Sequence, residues 1–176
     1  EFRRVLFRSY LPFFIGCSFV RTRSDLKFLA RCLMSVGATW AALILYESKM
    51  SPCLHFKLWG YSSMQSFHDA FRMGGWRPVL FMKHGIAQGI MTLFFFLSTI
   101  ALWRTREPLR VFHKPLPAKW TWKRVLIFAV VIMGLSRATG ALAYAFIAAP
   151  IAAFSPPKTI LRYAAFFGGV ALLYPI

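Results

Sequence analysis

Arg77, His84 and Arg137 are the residues of this sequence best suited to chemistry. A guanidinium stays charged and binds phosphate oxygens through a bidentate fork. An imidazole exchanges a proton near neutral pH. Arg77 precedes Pro78, which holds its backbone extended. His84 follows just before Gly85 and a long apolar run, and Arg72 and Lys83 add cations to the same stretch. Arg72, Arg77, Lys83 and Arg137 are therefore candidate binders of an anionic, phosphate-bearing substrate, with His84 as the candidate catalytic proton carrier. Each also has a plainer reading: Arg77 as a headgroup anchor, His84 as a helix cap, Arg137 as a paired structural charge. His68 and Asp69 are adjacent, and adjacent residues do not face each other on a helix. His55 and His68 lack a third ligand at metal spacing, so neither a metal nor a cofactor is expected. Glu47 is expected to pair with Lys49 or a nearby Arg, or to act as a base.

The elements that must position these residues follow from composition. The chain has 176 residues, is 58% hydrophobic and 18% aromatic, and carries 22 Lys+Arg against 5 Asp+Glu. Its mean hydropathy is +0.55. Such apolarity excludes a disordered chain and is foreign to a soluble domain of this size. A net charge of +17 invites a nucleic-acid partner. But the cations stand between long apolar blocks rather than on one solvated face, so no nucleic acid is expected. The three cysteines make no disulfide framework or zinc pattern. The reading is all-α: a polytopic transmembrane helix bundle of about four to six full or partial spans.

The expected spans are 10–20 (partial), 28–46, 86–103, 120–136, 140–154 and 163–176. A polar-aromatic outer loop covers 47–85, and a cytoplasmic loop covers 104–124. The latter holds seven Lys/Arg and one acid, and Pro108, Pro115 and Pro117 argue against a continuous helix there. Trp103, Trp120 and Trp122 flank it as interfacial anchors. Residues 125–154 as one helix would be about 45 Å long with Arg137 near the middle, at the costliest depth. A break at 136–140 is preferred, with two arms meeting in a turn on the outer side. The alternative is one tilted helix with Arg137 facing the bundle interior.

Orientation follows from charge. The basic patches at 21–31 and 104–124 are separated by two spans, so they share a side, and the positive-inside rule makes that side cytoplasmic. Loop 47–85 and the turn near Arg137 then face outward. There, a lipid-linked diphosphate would present its charge at the mouth of the bundle with its tail in the bilayer. Residues 1–9, EFRRVLFRS, read as an adaptor-derived tail, and residues 10–176 as a single transmembrane domain, an internal fragment of a longer protein.

Several short motifs go further. Glu47, MSP at 50–52, Leu54 with His55, WGY at 59–61, Gly74 with Gly75, Arg77 with Pro78, His84 with Gly85, SRATGA at 136–141 and LYP at 173–175 resemble the central region of bacterial O-antigen ligase and O-antigen polymerase-like membrane proteins. The resemblance spans about residues 24–176. It implies a multi-pass glycosyltransferase of the bacterial inner membrane. The glycan donor would be linked to a polyprenyl diphosphate, and the acceptor would be lipid A core or a growing glycan. It also implies no metal, arginines that hold the diphosphate, and a histidine of a large periplasmic loop that activates the acceptor. That loop usually follows the point where this chain stops, so the piece is expected to be inactive alone. Arg77 and Arg137 carry over as diphosphate binders more directly than His84 carries over as the catalytic histidine. The rival readings are a transporter, which would show inverted repeats, and a non-catalytic scaffold subunit, which would show small-residue helix faces without convergent cations.

Overall fold

The computed structural model describes Gly16 and residues 18–60, 70–82, 84–112, 114–117, 119–160 and 162–163. The tail at 1–9, most of the expected spans 10–20 and 163–176, and Lys83, His68 and Asp69 lie outside the described residues. The described chain is mostly helical. Its helices are α1 (Arg23–Met50), α2 (Leu54–Trp59), α3 (Gly85–Arg104), α4 (Trp122–Leu135) and α5 (Thr139–Phe154). Two short antiparallel hairpins depart from the all-α expectation: β1 (Phe71–Arg72) with β2 (Gly75–Trp76), and β3 (Arg110–Val111) with β4 (Lys114–Pro115).

Local sequence sets the helix ends. Thr22 begins α1 with a capping box: its hydroxyl accepts from Asp25 N–H at 3.2 Å, and the Asp25 carboxylate accepts from Thr22 N–H at 2.8 Å. The end of α3 is a Schellman motif. Glu107 N–H donates to Leu102 C=O and Arg106 N–H to Trp103 C=O, with Arg106 left-handed at φ 52°. The end of α4 repeats half of it, with Arg137 N–H on Gly134 C=O and φ 48°. Glycine is the usual residue at this position because a Cβ is strained there. Here both positions hold arginine.

Helix α3 is the centre, flanked by α1, α4 and α5. Its buried Thr92 and Thr99 hydroxyls donate to the carbonyls of Gln88 and Phe95, so these hydroxyls are satisfied within the helix. Gly37 lets α1 close onto α3, since a Cβ there would overlap the Phe95 ring. On α5 the buried face is Ala141 and Ala145, and Ala138 packs against Gly89, so small residues on both sides bring α5 close to α3. Met34, Ile44, Phe95, Ile100 and Ile132 fill the core between the helices.

Cross-chain contacts give the helix directions. Near the start of α1, Lys27 and Arg31 bind Glu107, just past the end of α3. Near the end of α1, Glu47 meets Val79 and Leu80, just before α3. The two helices are therefore antiparallel. Gly89 touches Ala138 at one end and Arg104 Nη1 donates to Ala152 C=O at 2.9 Å at the other, so α5 runs parallel to α3. Trp122 shares a cleft with Trp103, Arg104 and Ala153, so α4 runs against both. The bundle thus has a cationic end, at the described residues of 21–31, 104–124 and 155–163, and a hairpin end, at residues 47–60, 70–82, 84–85 and 136–138. Helices α1 and α3 are each long and apolar enough to cross a membrane by length and composition, and α5 is a shorter apolar helix.

Candidate functional site

The hairpin end is built on a buried carboxylate. Glu47 is 1% exposed, and its Oε2 accepts from the backbone N–H groups of Val79 and Leu80, both at 2.8 Å. Its Oε1 accepts from Leu54 N–H at 3.1 Å. Among the described residues Glu47 therefore bonds neither Lys49 nor an arginine, and its carboxylate is held by backbone N–H groups instead. It ties the segment before α3 and the start of α2 to the end of α1. Successive N–H groups converging on one oxygen form a compact anion cradle, with Leu80 left-handed at φ 52°.

The first hairpin leads into that segment. Met73 and Gly74 both have positive φ (51° and 71°), the geometry that matches strand twist in a two-residue turn. Phe71 and Trp76 meet edge to face at 5.2 Å, and Arg77 N–H closes the ladder on Ala70 C=O at 2.6 Å. The chain then enters buried Pro78. Next to the cradle His55 is buried against Trp59 and Phe81, with ring centroids 5.6 and 6.2 Å away, so its surroundings are an aromatic cluster.

The two arginines of this end are seated on glycines. Arg77 is 8% exposed, and a Cβ on Gly85 would lie 2.5 Å from its Nε. A Cβ on Gly75 would overlap Arg137 Nη1. Arg77 Nε and Arg137 Nη1 are both buried donors that find no hydrogen-bond acceptor among the described residues. A buried polar group without a partner is costly, more so when charged. Burial pushes the Arg77 guanidinium below its usual range, and the nearby charge of Arg72 adds to the effect. Arg72 itself is exposed on β1.

The structure thus brings Arg72, Arg77 and Arg137 to one end of the bundle. His84 is there too, as the exposed residue that begins α3, but its side chain makes no capping bond. Lys83 lies outside the described residues. Sequence reasoning missed the roles of Gly75 and Gly85 as seats, although both stand beside the residues it selected. It also missed that Arg137 takes the left-handed position that ends α4. Among the described residues no three His, Cys, Asp or Glu side chains come together to hold a metal. In electrostatic terms this end presents the buried Arg77 guanidinium, the half-buried Arg137 guanidinium with its Nη1 buried, Arg72 on the rim and an exposed imidazole, an arrangement suited to an anion with several oxygens. Compared with known proteins, the chain matches no family model, no curated protein and no solved structure.

Proposed function

We propose that this chain is part of a multi-pass glycosyltransferase of the bacterial inner membrane. In this reading it takes a glycan from a polyprenyl-diphosphate carrier and passes it to lipid A core or a growing surface polysaccharide. The observation that carries the reading is the pair of glycine-seated guanidinium groups, Arg77 and Arg137, each with a buried N–H lacking an acceptor among the described residues. A diphosphate has the charge and the oxygens to complete both. The membrane part of the reading rests on apolar side chains turned away from the bundle: Ile86, Ile127, Tyr144, Phe146 and Phe154 are 64–84% exposed. Lipid would cover them at no cost. The basic patches at the opposite end favour a cytoplasmic orientation for that end, which leaves the hairpin end on the outer face with the donor. The motif resemblance points to the same class.

The mechanism is inverting transfer. The acceptor hydroxyl attacks the anomeric carbon, a new C–O bond forms, the bond to the diphosphate oxygen breaks, and the diphosphate leaves with the electron pair. Arg77 and Arg137, with Arg72 at the rim, stabilise the charge that grows on the leaving group. His84 is exposed and free to take the hydroxyl proton.

The test uses variants that spare the fold. Arg137→Gly removes the guanidinium and relieves the left-handed backbone at φ 48°. Arg77→Ala removes the second clamp. Both, made in the longer parent protein of which the reading makes this chain a part, are expected to insert in membranes normally and to lose glycan transfer by at least about 100-fold, the usual worth of a transition-state charge contact. Native transfer by both variants would overturn the site.

A further inference from the structure

At the cationic end, the cleft between the end of α3, the start of α4 and the end of α5 has no role in the proposed transfer. Trp103, Arg104, Arg106, Trp122 and Ala153 line it. We infer that this cleft binds the headgroup phosphate of an anionic phospholipid, with Arg104 and Arg106 on the phosphate and the two tryptophans at the level of the glycerol backbone. The inference rests on the membrane part of the proposed function and is independent of the glycan chemistry.

Three features carry it. The first is a built position. Arg104 is half-buried and fixed by its Nη1 bond to Ala152 C=O, which leaves it lining the cleft with donors to spare. Arg106 is exposed and takes the left-handed Schellman position, where glycine would relax the backbone. A non-glycine residue held there is a sign that its side chain has a use. The second is the surrounding field. Arg21, Arg23, Lys27 and Arg31 stand at this end with the seven Lys/Arg of 104–124, and Asp25 and Glu107 are the only described carboxylates to oppose them. Glu107 is already held by Lys27 and Arg31. Excess positive charge of this density attracts an anionic leaflet. The third is the apolar edge. Phe154, next to Ala153, is 80% exposed, and the tryptophans are half-buried, so the cleft offers an acyl chain a wall beside its cations. A soluble anion would use the arginines but not this wall.

The experiment reconstitutes the purified protein in vesicles of phosphatidylglycerol and phosphatidylcholine in equal amounts. The lipids retained after detergent extraction are then counted by native mass spectrometry. The native chain is expected to retain phosphatidylglycerol selectively. Arg106→Gly, which eases the backbone, should lower that selectivity about fivefold, the worth of one surface cation against an anionic lipid. Arg104→Gln should lower it at least as much. Arg110→Gln removes an equal charge from exposed β3 outside the cleft and should leave it unchanged. If Arg110→Gln lowers retention as far as Arg106→Gly, the attraction is diffuse and the site is wrong. Displacement of the lipid by millimolar inorganic phosphate would also overturn it, because the cleft would then prefer the free anion. A native chain that enters neither lipid refutes the membrane reading itself, whereas a chain that enters both without selectivity refutes only this site.

Discussion

Removing the Glu47 carboxylate should loosen the hairpin end more than any other single change there. Three backbone N–H groups, from Leu54, Val79 and Leu80, depend on its two oxygens, and the residue is 1% exposed. Each buried donor left without an acceptor costs about 1–3 kcal/mol. Glu47→Ala therefore costs about 2–6 kcal/mol at the two buried donors, Val79 and Leu80, with a smaller share at part-buried Leu54, and water entering the vacated space brings the figure toward about 3 kcal/mol. Glu47→Gln keeps the shape and one acceptor. That oxygen can serve Val79 and Leu80, which turns the amide NH2 toward Leu54 N–H, so one donor is lost and the cost is about 1–3 kcal/mol. The assay is amide hydrogen exchange on the detergent-solubilised protein. A local loss of about 3 kcal/mol speeds exchange by about 100-fold at Leu54, Val79 and Leu80 in Glu47→Ala. In Glu47→Gln the larger effect should fall on Leu54 alone. Arg77 stands two residues before Val79, so its seat on Gly85 should loosen in the alanine variant as well. Unchanged exchange at these three amides in Glu47→Ala would refute the anchoring role of the carboxylate.

Two further predictions concern the rest of the bundle. The Glu107 carboxyl is held below its usual range, chiefly by its hydrogen bond to Lys27, with Arg31 adding to the effect. A group depressed on folding stabilises the protein above its unfolded value, near 4.5, and loses that contribution as pH falls through its lower folded value. The pair is partly exposed, so the effect is about 0.2–1 kcal/mol. Glu107→Gln should lower Tm at neutral pH, and its curve should meet the native curve in acid. Parallel Tm curves at all pH would contradict this. Gly37→Leu should destabilise the chain by about 1–3 kcal/mol through overpacking, because even a Cβ at Gly37 overlaps the Phe95 ring. A Tm equal to that of the native protein would show that α1 and α3 do not meet there.

Much of the architecture was legible because it is written in local runs. Apolar blocks of span length became α1 and α3, with bounds at Arg23–Met50 and Gly85–Arg104 against the expected 28–46 and 86–103. Between Thr105 and Thr121 the described residues form a turn and a hairpin of two-residue strands rather than a helix, in keeping with Pro108, Pro115 and Pro117. The break within 125–154 lies between Leu135 and Thr139. Its cause was less legible. Within the expected break at 136–140, Arg137 takes the left-handed turn, a position where sequence rules look for glycine.

The sequence by itself determined the helical runs and the concentration of cations in two patches, and it singled out Arg77 and Arg137 as candidates. Run length, charge spacing and proline are properties of neighbouring residues, and they act before the chain packs. Only the tertiary structure decided what those residues touch. Glu47 finds its partners 32 and 33 residues away, on backbone N–H groups that carry no side-chain signature. Gly75 and Gly85 became seats for guanidinium groups because helices and hairpin close on one another there, and the absence of a Cβ matters only once a neighbour arrives. Likewise, α5 lies close against α3 because alanines and glycine on facing sides permit it, a complementarity that exists between segments and in neither of them alone.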